Sequence, residues 1–223
     1  VIQPLFAMII FAFFFGRVAK LPSDGMPYPL FTYAGLLPWT FFSNAVTNGS
    51  QSLMGSANLV TKVYFPRILI PVASVATGFV DFALAFLMLG PLMWWNHTAP
   101  ASGSLLMIPV TIAIAFLLGL GLSLWLSALI VRYRDVRHIV PFVVQIWMFA
   151  TPIVYPLSFV PEKWRALVSL NPMVPIVEAF RRSLVGRSVE PAGLAYALVA
   201  AMILIASGSM YFRRLERLFA DVM

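Results

Sequence analysis

The sequence contains no cysteine, two histidines and only 10% charged residues. The absence of cysteine excludes disulfides and thiolate metal sites. A soluble globular domain carries about 25% charged residues. The low charge, with 61% hydrophobic residues and a mean hydropathy of +0.91, therefore indicates an integral membrane protein. Apolar segments occupy most of the 223 residues, which leaves no room for a soluble catalytic domain.

Two further absences restrict the function. The sequence has no GxxxxGKS or GxxxxGKT phosphate loop, so nucleotide hydrolysis would belong to another chain. Carboxylates are few, and no metal-ligand set or nucleophile with a base is visible, which disfavours an enzyme. The net charge of +7 comes from basic residues that flank apolar segments. Anionic lipid and the positive-inside bias explain this charge better than nucleic acid does.

The hydropathy pattern predicts an all-α membrane protein that forms a single domain, 1–223, with six transmembrane helices. An amphipathic cytoplasmic helix is expected at about 52–66, and a short re-entrant or interfacial helical hairpin at about 161–186, before the last span. Because the sequence opens at Val1 inside an apolar run, without the charged start of a secretory signal, we expect a cytoplasmic segment upstream. The predicted spans are about 1–18, 28–46, 68–95, 105–131, 139–156 and 191–212.

The hairpin is predicted from local stop and start signals. Asn171 as the N-cap, Pro172 at the first helical position and Gly186 as the stop define a helix of about fourteen residues. At 1.5 Å per residue this helix is roughly 21 Å long, short of the ~30 Å hydrocarbon core. If the helix enters the membrane, the non-helical backbone on either side of it must be buried in protein or line a water-filled cavity. Three prolines end the fifth span before it: Pro152, Pro156 and Pro161.

Basic residues set the orientation. One side of the membrane collects eight of them and is predicted to be cytoplasmic, whereas the short loops of the other side hold Arg17 and Lys20. The eight are Lys62, Arg67, Arg132, Arg134, Arg137, Arg213, Arg214 and Arg217.

The hairpin opposes this rule, because it would place five further cations, Arg187 among them, on the outer side. Because the orientation rule disfavours cations on that side, their presence there favours a function, and we expect an outer gate. Its cations would bind pyrophosphate or anionic sugars. Anchoring to lipid phosphates is the alternative. The predicted gate residues are Glu162, Lys163, Arg165, Glu178, Arg181 and Arg182.

The spans offer few polar or aromatic candidates for a transport path. Asp81 lies near the middle of the third span, where a charge costs about 2.5 to 3.5 kcal/mol, so it should face protein or water. An interhelical hydrogen bond and a transport role are both open for it. Aromatic side chains that line a path would let sugar rings slide along it without tight binding. The alternative role for these side chains is packing within the protein or contact with lipid. The predicted translocation path comprises Trp39, Asp81, Trp147, Phe149 and Tyr155.

Four motifs occur in a fixed order: KVYFPR at 62–67, RYRD at 132–135, TPIVYP at 151–156, and NP at 171–172 with EAFR at 178–181. Together they resemble the permease subunit of ABC transporters that export polysaccharides such as lipid-linked O antigen, capsule or teichoic acid. The resemblance covers nearly the full length. It implies a homodimer in the bacterial inner membrane, paired with two copies of a separate ATPase that binds ATP and Mg, while this chain binds no cofactor.

The resemblance also assigns the contact with the ATPase to the 52–66 helix and to the turn after the fourth span. For the helix, lying flat on lipid headgroups is the alternative, and for the turn a positive-inside anchor suffices. The Asp135 carboxylate is expected to pair with Arg132 or Arg134 and to fix the turn. The predicted contact residues are Lys62, Tyr64, Phe65, Arg67, Arg132, Arg134 and Asp135.

Other functions are weaker. A secondary carrier would show inverted repeats and paired broken helices, and neither is evident. A drug or small-lipid exporter of related architecture stays open, because the motifs concern the scaffold more than the cargo. A neighbouring reading frame that encodes an ATPase would separate an ABC permease from a carrier or an enzyme.

Overall fold

The computed structural model describes residues 2–56, 65–98 and 105–216. Within these ranges the regular secondary structure is entirely helical, as the composition predicts. The first helix continues as a π-helix, Ala12–Val18, and a short 3₁₀ turn, Leu157–Phe159, precedes the hairpin. The α-helices are α1 Ile2–Phe11, α2 Tyr28–Gly55, α3 Leu69–Leu87, α4 Leu89–Trp95, α5 Met107–Arg132, α6 Val136–Ala150, α7 Glu162–Ser169, α8 Met173–Leu184 and α9 Pro191–Glu216.

Three stretches of the described chain are long and apolar enough to cross a membrane: Leu69–Trp95, Met107–Arg132 and Pro191–Glu216. Ile2–Val18 and Val136–Ala150 are apolar but shorter. The α2 helix has 28 residues, about 42 Å at 1.5 Å per residue, but it is more polar than these. A multi-pass membrane protein follows from these helices, and the complete six-span topology stays a prediction.

The predicted boundary between the second span and the cytoplasmic helix is wrong. The α2 helix runs without a break through Pro38 to Gly55, so residues 52–55 form its last turn and do not begin a separate helix. The serine hydroxyls of this turn hydrogen-bond to the backbone of the same helix. Ser50 Oγ donates to the Thr47 carbonyl at 2.9 Å, and Ser52 Oγ donates to the Gly49 carbonyl at 2.7 Å. Polarity at 47–52 therefore does not end the helix. Residues 57–64 of the predicted cytoplasmic helix lie outside the described residues.

Two other predicted spans differ from the observed helices. The third divides at Met88 into α3 and α4, where Pro91 has no N–H to bond the carbonyl four residues earlier. The fifth ends at Ala150 and not at 156, because Thr151 adopts an extended backbone ahead of Pro152. Both differences arise from proline, which the hydropathy average does not register.

The α2 helix is the centre of the fold. It packs against α1, α3, α5, α6 and α8, and its Phe31, Tyr33 and Phe42 are among the most deeply buried side chains. A second, smaller cluster lies at the opposite end of α2 from Phe31. This inner-end cluster joins the end of α2, the start of α3 and the ends of α5 and α9. It contains Leu53, Ile70, Leu124, Ala128, Val131, Phe212 and Leu215.

The α5 and α9 helices approach closely because glycine faces glycine between them. A Cβ atom on Gly121 would lie 2.8 Å from Leu204 Cβ and 2.9 Å from the Ile205 backbone nitrogen, and one on Gly208 would lie 2.9 Å from the Gly121 carbonyl oxygen. Small residues allow such contact between membrane helices. Next to this crossing, the Trp125 indole donates to Ser207 Oγ at 3.1 Å.

We expect Gly121→Leu to separate α5 from α9 and to destabilise the protein by about 3 kcal/mol, the upper end for overpacking, since the opposing atoms are backbone. Thermal unfolding in detergent measures this. The control is Gly55→Leu, because nothing lies within 4 Å of a Cβ there. Equal melting temperatures for the two variants would show that the glycine contact is not needed.

Candidate functional site

A groove of about 480 Å³ runs between α1, α2 and α6. Among the described residues that line it, none is charged, and about half carry a neutral hydroxyl or amide. Such groups donate and accept hydrogen bonds but carry no net charge. The polar lining residues are Gln3, Thr40, Ser43, Asn44, Thr47, Asn48 and Gln145.

Five of these polar residues form one stripe along α2, which sequence reasoning missed. They recur at i, i+3, i+4, i+7 and i+8, the spacing of a single helix face. The second span was predicted at 28–46 from the average hydropathy of the segment. An average does not reveal a polar face on an otherwise apolar helix. The spacing alone would have found it, because polar residues in a span face protein or water. The polar stripe consists of Thr40, Ser43, Asn44, Thr47 and Asn48.

Aromatic side chains form the wall behind the stripe. The Trp39 and Trp147 ring centroids lie 6.4 Å apart, and Phe42 packs on both, at 5.5 Å and 5.3 Å. Trp39 lines the groove, whereas Trp147 supports it from α6. Phe149 is exposed on α6, and the Tyr155 hydroxyl donates to the Phe149 carbonyl at 3.1 Å. Of the predicted aromatic path residues, the structure brings Trp39 and Trp147 together at the groove and leaves the other two outside it.

Asp81 lies beside the groove. It lines a smaller cavity of about 150 Å³ on the α3 side. Gln3, Thr40 and Asn44 line both this cavity and the groove, so the two spaces adjoin. Within the described residues no hydrogen bond of the Asp81 carboxylate is found. The cavity supplies the polar surroundings that a carboxylate in a span requires.

The end of α6 at Ala150 continues into the non-helical segment 151–156, and Arg181 of α8 binds this backbone. Arg181 Nη1 donates to the Pro152 carbonyl at 2.7 Å and Nη2 to the Ile153 carbonyl at 2.5 Å. Arg181 Nε donates to the Phe31 carbonyl of α2 at 3.1 Å. One guanidinium thus joins the hairpin, the segment after α6 and the start of α2.

Arg181 is itself buried, with 3% of the side chain exposed. Its guanidinium carbon lies 3.7 Å from the centroid of the Phe31 ring, a cation–π contact. Nη1 lies 3.4 Å from Glu178 Oε1. Burial lowers the pKa of Arg181 to about 10, and the Glu178 carboxylate acts in the opposite direction. The side chain stays charged at neutral pH.

Further side chains hold the same segment. The Tyr28 hydroxyl donates to the Val154 carbonyl at 2.6 Å. Asn171 Nδ2 donates to Thr151 Oγ1 at 2.8 Å, and its Oδ1 accepts from the Met173 N–H at 3.0 Å, at the start of α8. The predicted cap is therefore present. The TPIVYP, NP and EAFR motifs, separate in sequence, meet at this one place.

The remaining predicted gate residues differ in exposure. Glu162 and Lys163 lie on the exposed surface of α7. Arg165 Nη2 donates to the Val160 carbonyl at 3.2 Å. Arg182 is 45% exposed, with Nε 3.9 Å from Glu178 Oε2. The structure brings together Glu178, Arg181 and Arg182, which line an open cavity of about 620 Å³ with Asp24 and Arg187.

The residues predicted to contact an ATPase gather at the other end of the helices. Phe65 packs on the inner-end cluster, which includes Val131 just before the RYRD turn. Arg67 Nη1 donates to the Glu216 carbonyl at the end of α9, at 2.6 Å. Arg132 lies over the Tyr133 ring at 5.4 Å. Lys62 and Tyr64 lie outside the described residues.

The RYRD turn lacks one predicted contact. Within the described part of the chain, no ion pair of the Asp135 carboxylate is found, although an aspartate there was expected to pair with Arg132 or Arg134. Arg132, Arg134 and Asp135 are all exposed. Arg132 and Asp135 thus lie exposed at the end of α5.

Apolar helices of spanning length, an uncharged polar groove and basic segments at the far end define a multi-pass membrane permease. The chain belongs to the ABC-2 type transporter family, which matches residues 1–185. The family match and the export permeases among its relatives indicate a transport subunit that works with an ATPase.

Individual relatives match almost the whole chain. The O-antigen export system permease protein RfbA of Myxococcus xanthus is 31% identical over 226 residues, which cover 99% of this chain and 85% of that protein. The RfbA permease of Klebsiella pneumoniae is 24% identical, covering 99% and 85%. The polysialic acid transport protein KpsM of Escherichia coli is 18% identical, covering 97% and 84%. The resemblance found in the motifs is confirmed.

Proposed function

We propose that this chain is the membrane subunit of an ATP-driven exporter that moves a lipid-linked polysaccharide from the cytoplasmic to the outer side of a bacterial inner membrane. A separate subunit hydrolyses the ATP. The observation that carries the proposal is the groove between α1, α2 and α6, which is polar, uncharged and backed by aromatic rings. The relatives are named for the export of O antigen and polysialic acid, and both are polysaccharides.

The groove suits a polymer that has to keep moving. Neutral hydroxyls and amides exchange hydrogen bonds with sugar hydroxyls at little net cost, because each bond contributes only about 0.5 to 1.5 kcal/mol. The lack of charge among the described lining residues avoids a fixed site that would hold one sugar unit. A drug or lipid would favour an apolar cavity instead, so the polar stripe supports a glycan.

We further propose a homodimer with two copies of the ATPase. The α1 and α6 helices flank the groove and expose apolar side chains to either side of it, including Phe6, Ile9, Phe142 and Ile146. A second copy that presents the same faces would close the groove into a pathway through an isologous interface. The 65–67 segment and the RYRD turn would then meet the ATPase at the cytoplasmic end.

The proposal is tested by measuring the activity of the partner ATPase reconstituted with this chain, with and without lipid-linked polysaccharide. We expect stimulation that needs both this chain and a long glycan. Stimulation by small amphiphiles alone would move the cargo to drugs or lipids. Failure to form any complex would favour a secondary carrier.

We expect Arg67→Glu to weaken the coupling between this chain and its ATPase, or their assembly. The substituted carboxylate would face the Glu216 carbonyl oxygen that the arginine now binds, so the 65–67 segment would lose its tie to α9. Glycan-stimulated ATPase activity should fall about tenfold or more, as expected for a lost charge-assisted hydrogen bond of 1.5 kcal/mol or more. Lys20→Glu, a charge reversal at an exposed residue of the loop before α2, on the predicted opposite side of the membrane, is the control. Unchanged assembly and export in Arg67→Glu would contradict this role.

A further inference from the structure

Arg181 was predicted to meet an anionic cargo at the outer gate, but its surroundings indicate another role. The segment that it binds, 151–156, continues directly from α6, one wall of the groove. Because this segment is not helical, the carbonyls of Pro152, Ile153 and Val154 need partners from elsewhere in the chain. Side chains supply these partners: Arg181 for the first two and Tyr28 for the third.

We infer that Arg181 is a positioning residue that fastens the 151–156 segment to α2 and so holds the outer end of the groove closed. The inference rests on the proposed function for what passes through the groove, and on contacts of this chain alone for the fastening.

The contacts of the guanidinium leave little capacity for cargo. All three of its nitrogens donate to groups of the chain, and the Phe31 ring covers one face. Gly35 lies close to the guanidinium, where any Cβ atom would collide with Nη2. With 3% of the side chain exposed, an anionic sugar or pyrophosphate could bind Arg181 only after these bonds break.

The geometry requires arginine. The two Nη atoms bind two successive carbonyls, Pro152 and Ile153, while Nε reaches Phe31 on another helix. A lysine ammonium is a compact point charge and cannot reproduce this planar fork. Among the described residues, Tyr28 makes the only direct side-chain hydrogen bond from α2 to this segment, and Asn171 binds Thr151 from the hairpin. Opening the outer end would therefore break a small, defined set of bonds.

The absence of native cysteine allows a direct test of opening. Val154→Cys places a single thiol in the fastened segment, where the valine is 6% exposed. We measure its labelling by a maleimide in the purified full chain. Adding Arg181→Met should speed labelling about tenfold or more, as expected for local opening. Arg181→Lys should give an intermediate rate, and Tyr28→Phe a smaller increase than Arg181→Met.

Two controls separate local opening from general unfolding. Ser127→Cys is a near-isosteric thiol that is fully buried near the inner-end cluster, and its labelling should stay slow in the Arg181→Met background. Gly35→Ala keeps the arginine at position 181, but the added methyl group would displace its guanidinium. This variant should therefore also speed labelling at Val154→Cys.

Two results would overturn the inference. One is labelling of Val154→Cys that is unchanged by both Gly35→Ala and a folded Arg181 variant. The other is equal acceleration of labelling at the Ser127→Cys control. The labelling needs neither glycan nor ATPase, so a failure of the export proposal would be visible separately from a failure of this one.

Discussion

Arg181→Met should destabilise the protein by about 3 to 5 kcal/mol, the usual cost of removing one partner from a buried charged pair. The substitution would remove the hydrogen bonds that Arg181 donates to Glu178 and to the carbonyls of Phe31, Pro152 and Ile153. The neighbouring Arg182→Met is the matched control, because Arg182 shares the same carboxylate but is 45% exposed. A surface pair of this kind contributes only about 0 to 1 kcal/mol.

Thermal unfolding of both variants in the same detergent makes the comparison. A large drop in melting temperature for Arg181→Met, with little change for Arg182→Met, is the expected result. Similar melting temperatures for the two variants would mean that the buried contacts of Arg181 do not stabilise the fold.

Replacement of Ser43, Asn44 and Thr47 together by leucine is expected to reduce export about tenfold or more, which corresponds to at least 1.4 kcal/mol of added barrier. The leucines would narrow the groove and remove its hydrogen-bonding groups. Each leucine contributes about −0.3 to −0.6 kcal/mol to the free energy of membrane insertion, so the substitutions should not impair insertion.

Export by reconstituted complexes measures the effect of the leucines, with assembly of the ATPase checked in parallel. Thr77→Leu is the control, because Thr77 lies on the exposed face of α3 away from the groove. Unchanged export with three leucines in the polar stripe would show that the glycan does not pass along α2.

Local signals in the sequence predicted where α8 begins and ends. Asn171 caps α8 by accepting from the Met173 N–H, and Gly186 follows the helix with φ +70°. Such caps act within a few residues, so they can be read without knowledge of the rest of the fold. The same holds for the end of α6, which the prolines after it could have located more closely.

The role of Arg181 could not be predicted from its charge. Five cations on the predicted outer side of the membrane indicate a function, but the orientation rule treats every cation alike. Whether an arginine faces cargo or backbone depends on residues far away in sequence, here Phe31, Gly35 and Ile153. The burial of Arg181 depends on these distant residues, and the local sequence EAFR does not encode it.

The groove was partly predictable. Trp39 and Trp147 are two of the aromatic residues predicted for a translocation path, Trp147 because its span leads into the hairpin. The structure brings the two rings into contact, and their place on a path stays a prediction. The polar stripe was missed because an average over a span erases the difference between its faces. A count of polar residues at helical spacing would have identified α2 as the helix that lines the groove.

The most direct test of the account asks whether glycan passes along α2. The substitution Asn44→Cys gives the chain a single thiol in the groove. In proteoliposomes with the partner ATPase, lipid-linked polysaccharide and ATP, we predict that glycan in transit protects this thiol from a maleimide. A thiol at Thr77→Cys should be labelled equally with and without glycan. Export that proceeds while Asn44→Cys stays fully reactive would contradict the groove as the path.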